Sequence, residues 1–329
     1  MKQKILELLS ASEIFISGEK LAELCGISRT AVWKHINSLK EEGYNIETQP
    51  RTGYKLISRP DALVKTEILD GLQTKVFGKE FLYTFFEIDS TNLKAKQLAN
   101  EGKPEGTVVV AESQTKGKGR LGRKWVSPSG KGVWVSFILR PPILPVKATQ
   151  LTFVIAVAMV HSLKNIGISD VQIKWPNDIL IHRRKVAGIL TELSAEIDCV
   201  NYVIVGIGIN VNQDTFEFPE EFKDKATSLK EACGHKVSRI KVLQSVLKEV
   251  EHFYYLYLEN GFGEIINLWR ENSVTLGKEV EVISGTEKIT GLAIDIDEEG
   301  CLLVKDREGK VNKIVAGDVS LRGKKGNYV

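Results

Sequence analysis

Gly117-Lys118-Gly119-Arg120-Leu121-Gly122-Arg123-Lys124-Trp125 is the stretch on which the fold assignment turns. Its first six residues spell GxGxxG, the glycine fingerprint of dinucleotide-binding folds. That fingerprint has to open a helix, whose N-terminus then meets the pyrophosphate. Here Val126-Ser127-Pro128 follows the tryptophan, and then an apolar strand pattern, Gly132–Leu139. A Gly-Lys-Ser/Thr ending is absent, so the stretch is no P-loop either. What is left is a flexible glycine loop between strands at 107–111 and 132–139, carrying Lys116, Lys118, Arg120, Arg123 and Lys124. Glycines let backbone amides approach phosphate oxygens, and the cations add charge. A solvated charged loop has the same composition.

Outward from the loop, strand patterns recur at 171–174, 179–181, 186–193 and 202–209, with helical periodicity at 147–165 and 239–258. Strands with few helices between them predict a mixed, largely antiparallel sheet with helices on one face. Short alternating runs at 278–283, 288–296, 301–305 and 311–315 predict a small β-barrel. At the other end, Ile5, Leu6, Leu8 and Leu9 mark one helix face and 18–25 a second helix. Gly26-Ile27 then turns the chain and Ser28 caps a helix running to about Glu42. Two runs, 44–49 and 54–57, flank Pro50-Arg51-Thr52-Gly53 and predict a hairpin, so the whole is a winged helix-turn-helix. Ser58-Arg59-Pro60-Asp61 is a candidate hinge. The fold class expected is α+β, with domains at 1–62, 63–275 and 276–329.

The recognition helix presents Ala31, Val32, Ile36 and Leu39 to the core. Ser28, Arg29, Thr30, Lys34 and Ser38 are left outward, where short polar groups and Arg reach bases and phosphates in a major groove. Arg51 and Lys55 on the wing are candidate phosphate contacts. Residues 1–60 carry nine Lys/Arg against seven Asp/Glu, so the charge alone does not separate DNA binding from a protein-docking winged helix.

The chain of 329 residues is 43% hydrophobic and 26% charged, with a net charge of +3. That supports a packed core and argues against a disordered chain. Four dispersed cysteines without a CxxC pair, and five histidines without ligand spacing, predict neither a disulfide framework nor a protein metal site. The run 151–160 is too short to span a bilayer, and the N-terminus lacks a signal-peptide pattern. The expected location is the cytoplasm.

Three more segments bear on chemistry. Asp89-Ser90-Thr91-Asn92 sets small polar groups at a helix start, although Asp89 or Ser90 can serve simply as N-cap. Lys174-Trp175-Pro176-Asn177-Asp178 ends a strand with an unusual composition. Val205-Gly206-Ile207-Gly208-Ile209-Asn210 lets a backbone come close to a ligand, or forms bulges. Together with the winged helix, the glycine loop and Lys185-Val186-Ala187-Gly188-Ile189-Leu190, these segments resemble the bifunctional biotin protein ligase and biotin-operon repressor family, over nearly the whole chain. One departure is Lys118, where the family commonly has Arg; lysine keeps the charge but loses the bidentate geometry.

The resemblance implies a class II synthetase-like catalytic domain and an SH3-like C-terminal barrel. It implies an ATP-dependent, AMP-forming ligase that takes biotin and Mg2+-bound ATP to biotinoyl-5′-AMP. Biotin then passes to a lysine of a biotin carboxyl carrier protein or a biotin-dependent carboxylase domain. Biotinoyl-5′-AMP would also be co-repressor, favouring a homodimer on operator DNA of biotin synthesis and transport genes. By the same resemblance, Ser90, Thr91, Asn92, Gln114, Gly117, Lys118, Gly119, Arg120 and Lys185 would bind biotin. Arg123, Trp125, Asn177 and Asn210 would bind nucleotide, and Lys185 and Arg120 would be catalytic. From the residues alone, the better reading of Lys185 is an exposed hairpin lysine beside Arg183-Arg184. A lipoate-type ligase and a non-catalytic ligand sensor are the rival functions.

Overall fold

The Ser28 hydroxyl accepts the Ala31 amide at 3.2 Å, satisfying one donor that a helix start leaves open. Gly26, at φ +69°, closes the preceding helix in the left-handed conformation. The computed structural model describes residues 1–284, 287–315 and 317–321. Its first elements are α1 (Lys2–Ser10), α2 (Gly18–Cys25), α3 (Arg29–Glu41), β1 (Asn45–Gln49), β2 (Gly53–Ser58) and α4 (Lys65–Leu69). Val32, Ile36 and Leu39 of α3 join Ile5, Leu6, Leu9 and Leu21 in one buried cluster. At Gly53 the wing strand passes so close to Ile16 that a Cβ would stand 2.0 Å from its carbonyl oxygen, so only glycine fits.

These elements form a compact unit, Met1–Gly71, and a second unit begins at Leu72. The segment 58–61, expected as a hinge, is tied into the first unit: Arg59 pairs with Glu67 and with Asp70. The buried Tyr44 hydroxyl donates to Glu67 at 2.5 Å.

The second unit continues with β3 (Leu82–Ile88), α5 (Thr91–Asn100), β4 (Val108–Gln114), β5 (Gly132–Leu139), α6 (Gln150–Asn165), β6 (Val171–Lys174), β7 (Asp178–Ile181), β8 (Arg184–Ala195) and β9 (Val200–Asn210). Then come α7 (Leu229–Cys233), α8 (Arg239–Asn260), α9 (Phe262–Glu271), β10 (Glu279–Ser284), β11 (Glu287–Ile296), β12 (Leu302–Lys305), β13 (Val311–Ile314) and β14 (Asp318–Leu321). The main sheet has seven strands in the order β3-β4-β5-β9-β8-β7-β6. Only β3 and β4 run parallel, so the expectation of a largely antiparallel mixed sheet holds. Helices cover both faces rather than one. Ala95, Leu98 and Ala99 of α5 pack with Val109, Ile138 and Ile204, while Thr152 of α6 bonds Thr191. Strand alternation and the Thr191↔Val205 pairing put Thr191 on the opposite face.

The C-terminal strands form a five-stranded antiparallel sheet, β13-β12-β11-β10-β14; residues 322–329 of the expected last domain lie outside the described residues. The apolar stretch around α6 is longer than the sequence pattern suggested. Pro145–Asn165 spans 21 residues, enough in length and composition to cross a bilayer, but 72% of its apolar window is buried inside the fold. That burial accounts for its composition.

Behind β4, Arg239 of α8 forms a bidentate pair with Glu112, at 2.7 and 3.3 Å. The two side chains are 2% and 9% exposed. Removing the guanidinium takes from a buried carboxylate the cation that faces it, so Arg239→Ala is expected to lower stability by about 3–5 kcal/mol. Urea unfolding checks this as a lower midpoint with an unchanged slope.

Candidate active site

The glycine loop is a small closed strap. The amide of Gly119 donates to the Arg123 carbonyl at 2.7 Å and that of Trp125 to the Gly117 carbonyl at 2.9 Å. Lys118 bridges Lys124, and the turn Arg120–Gly122 places Leu121 at φ +55°. The sequence predicts a flexible loop here; the structure has these backbone bonds folding it onto itself. A Cβ at Gly117 would stand 2.5 Å from the Trp125 carbonyl oxygen, so this glycine is what lets the strap close.

Beneath the strap, glycines of β8 and β9 clear space on the α5 face of the sheet. A Cβ at Gly206 would lie 2.0 Å from Asn92 Oδ1, and one at Gly208 would lie 2.5 Å from the Trp125 indole. Trp125 therefore lies flat on the sheet, and its buried Nε1 has no hydrogen-bond partner.

Ser90, Thr91 and Asn92 are 2%, 4% and 7% exposed. Ser90 occupies the N-cap of α5, yet its hydroxyl makes no capping bond, so capping does not account for that side chain. Gln114 Oε1 accepts the Thr91 amide at 2.8 Å, and Gln114 Nε2 donates to Ser127 Oγ at 2.9 Å. Ser136, Ser127 and Glu192 join this set although sequence reasoning missed them: Ser136 Oγ lies 2.7 Å from Thr91 Oγ1 and 2.6 Å from Asn92 Oδ1. Asn92 Nδ2 donates to Glu192 at 2.6 Å.

Beside this polar floor, Lys185 Nζ pairs with Asp178 at 2.6 Å and stands 5.1 Å above the Trp125 ring. It is the second residue of β8, half-buried, with its ammonium held by this pair. Asp178, quoted in the sequence as part of a motif, is the residue that holds it. Arg120 Nη1 donates to Asn177 Oδ1 at 3.1 Å, and Asn177 Nδ2 donates to the Ile189 carbonyl at 2.6 Å. The strap is thereby fastened to the segment ending β6. Asn210 donates to the Thr227 carbonyl at 3.1 Å. Arg123 and Lys118 are exposed. Arg120 and Asn177 also line a cleft of about 650 Å³, together with Thr149, Trp175, Thr191 and Lys313.

Among the described residues, Asp297, Glu299 and Cys301 lie close enough to share a metal ion. Lys313 already occupies that position, 2.7 Å from Asp297 and paired with Glu299. Burial opposes it, but Lys313 and the Cys301 and Glu299 amides hold the Asp297 carboxyl below its ordinary range. The set is thus satisfied by a protein cation.

In the first unit, Ser28 spends its hydroxyl on the α3 cap, which leaves Arg29, Thr30 and Lys34 exposed on the helix. Arg51 is exposed at the wing tip, at φ +65°. Trp33 is 54% exposed on the same helix.

The chemistry available is polar recognition in a buried floor, with a paired lysine and backbone amides beside it. Such a site acts on charge developing at a bound reactant. Comparison with known proteins gives three family matches. They are the biotin/lipoate A/B protein ligase family over residues 85–210, an HTH domain over 2–55 and the biotin protein ligase C-terminal domain over 275–322. The bifunctional ligase/repressor BirA of Bacillus subtilis (strain 168) is 45% identical over 322 residues, covering 98% of each chain. That of Escherichia coli (strain K12) is 32% identical, covering 97% of this chain and 96% of the other. The biotin protein ligase from Aquifex aeolicus in complex with biotin and ATP superimposes with a TM-score of 0.64 at 38% identity, covering 74% of this chain and 99% of that one.

Proposed function

The chain belongs to the bifunctional biotin protein ligase/repressor family, and from that premise we propose that one polypeptide both attaches biotin to a protein lysine and represses transcription. In the first step a biotin carboxylate oxygen attacks the α-phosphorus of ATP, and pyrophosphate leaves. In the second, the amine of an acceptor lysine attacks the carbonyl carbon of biotinoyl-5′-AMP. The amide forms, AMP leaves, and the amine's proton passes to solvent. Neither step needs an enzyme nucleophile. Thr91, Gln114, Ser90 and Asn92 hold the ring end of biotin, with Gly117, Lys118, Gly119 and Arg120 closing over it. Lys185 faces the carboxylate and α-phosphate. Trp125, Arg123, Asn177 and Asn210 serve the nucleotide, and Mg2+ enters with the ATP phosphates.

The observation that carries this reading is the placement of Lys185, paired with Asp178 and above Trp125, at the edge of the buried Thr91–Gln114–Asn92 floor. Mass spectrometry of a biotin carboxyl carrier domain incubated with the protein, biotin and Mg-ATP tests it. The expected result is one added biotinyl group on a single lysine. An unmodified acceptor, with no pyrophosphate released, overturns it.

The second activity rests on the winged helix, with biotinoyl-5′-AMP as co-repressor in the cytoplasm. A co-repressor has to bind one state better than the other, and dimerisation offers such a state. Strand β7 pairs with β8 only as far as Gly188, so residues 189–195 have a strand partner on one side among the described residues. Leu193 and Ile197 are exposed there. An open edge of this kind can pair with a second copy. On operator DNA, Arg29→Ala is expected to weaken binding by about 1–3 kcal/mol, leaving ligation unchanged; a gel-shift titration with biotin and ATP present reads it. Equal retention by both proteins overturns the assignment of Arg29.

A further inference from the structure

We propose that Trp175 is a positioning residue through which the C-terminal sheet holds the anchor of the strap. Retention of the activated intermediate then depends on a turn in that sheet. This deepens the ligase reading above and rests on it.

The turn between β11 and β12 is stiffened from within and tied to the catalytic fold. Asp297 accepts the Glu299 and Cys301 amides at 3.0 and 2.8 Å, and Lys313 reaches Asp297 from β13 at 2.7 Å. Gln150 Nε2 of α6 donates to the Glu298 carbonyl at 2.7 Å, and Thr149 Oγ1 to the Glu299 carbonyl at 3.0 Å. Gln150 in turn accepts the Tyr257 hydroxyl at 2.7 Å. Gly300, at φ +80°, lies so near α6 that a Cβ would stand 2.4 Å from the Phe153 ring. The turn is therefore a fixed point, and its Gly300 carbonyl accepts the Trp175 indole N–H at 3.0 Å.

Trp175 spends both of its N–H groups on this side of the molecule. Its amide donates to Thr275 Oγ1 at 3.0 Å. Thr275 is fully buried, in the segment after α9 whose backbone bonds Ile173 of β6. Two residues beyond Trp175, Asn177 accepts the Arg120 guanidinium and donates to the Ile189 carbonyl. Residues 175–177 thus bridge from the C-terminal sheet to β8, and the strap is fastened to that bridge. The same three residues line one wall of the cleft of about 650 Å³, so on that side hydrogen bonds rather than packing set their position. A hydrogen bond fixes direction as well as distance. Loss of the Trp175 end lets the bridge turn about the Ile189 end, and Asn177 Oδ1 moves away from Arg120.

The test measures release of radiolabelled biotinoyl-5′-AMP in a chase with the unlabelled intermediate, alongside biotin affinity by calorimetry. Trp175→Phe keeps an aromatic ring and removes the indole N–H. Release is expected to quicken about fivefold, as for the loss of one neutral hydrogen bond. Biotin affinity is expected to stay within about twofold, because the Thr91–Gln114–Asn92 floor lies on the α5 face of the sheet. The deciding comparison is a double substitution. With Arg120→Gly in place, the strap has no guanidinium for Asn177 to hold, and adding Trp175→Phe is expected to change release by less than about twofold. A merely structural role would quicken release by the same factor in both backgrounds. Thr275→Val, which replaces the hydroxyl that accepts the Trp175 amide with a methyl, makes the same comparison where the phenylalanine variant does not fold. Unchanged release, equal acceleration with and without Arg120, or an equal loss of biotin affinity overturns the inference while the ligase reading stands. An unaltered protein that forms no intermediate from biotin and Mg-ATP overturns both.

Discussion

Lys185→Ala is expected to slow adenylate formation by about 10²–10³-fold, with biotin affinity changed by no more than about threefold. The asymmetry follows from where the ammonium sits. Asp178 holds it at 2.6 Å and the Trp125 face lies below it, so its position is set before reactants arrive. Pre-set charge of this kind matters most where new negative charge develops, at the α-phosphate during displacement, and little for holding a ring at the other end of the pocket. Stopped-flow detection of pyrophosphate in a single turnover separates the two effects. An unchanged rate removes Lys185 from the chemistry.

Arg120→Gly is expected to release the activated intermediate. Arg120 fastens the strap to Asn177 at 3.1 Å, and Asn177 is itself held by the Ile189 carbonyl. Without the guanidinium, the strap loses its tie to the neighbouring segment and gains a second conformationally free glycine beside Gly119. Loss of a charged hydrogen bond accounts for a rise in biotinoyl-5′-AMP dissociation of roughly 10–100-fold. The freed mixed anhydride then acylates exposed lysines on bystander proteins. Mass spectrometry of a mixture of acceptor domain and serum albumin reads the outcome; biotin confined to the acceptor contradicts it.

Much of this arrangement was legible in the sequence, because local signals agreed with the tertiary fold. Ser28 followed by Val32, Ile36 and Leu39 spelled out the recognition helix, and the residues after Gly122 excluded a dinucleotide fold. Other parts were hidden for physical reasons. Leu82–Ile88 is an edge strand with a mostly half-exposed face, so its burial pattern lacks a clean alternation. The helix Phe262–Glu271 starts behind Gly261 and contains Gly263, which together read as a loop. The four-residue strand Asp318–Leu321 is too short to show a period. Helices on both faces could not be foreseen, since the side on which α5 packs depends on register.

In the site, Thr91, Gln114 and Lys185 carried motif signals. Ser136 and Glu192 did not, because they stand 44 and 100 residues from Asn92 in the chain and meet it only through the pairing of β5, β9 and β8. One signal was present for Ser136: it is a lone hydroxyl inside the otherwise apolar run Gly132–Leu139. A polar group in a strand buried throughout calls for a partner.

The central claim is that the strap of residues 117–125 and Lys185 together clamp a biotinyl adenylate until an amine arrives. A crystal structure of the protein with biotinoyl-5′-AMP tests this most directly. The expected result is a phosphoryl oxygen about 3 Å from Lys185 Nζ, with the Gly117–Arg120 backbone closed over the ligand and its ring end against Ser90, Thr91 and Gln114. A strap turned out into solvent, with the ligand bound elsewhere on the chain, contradicts it.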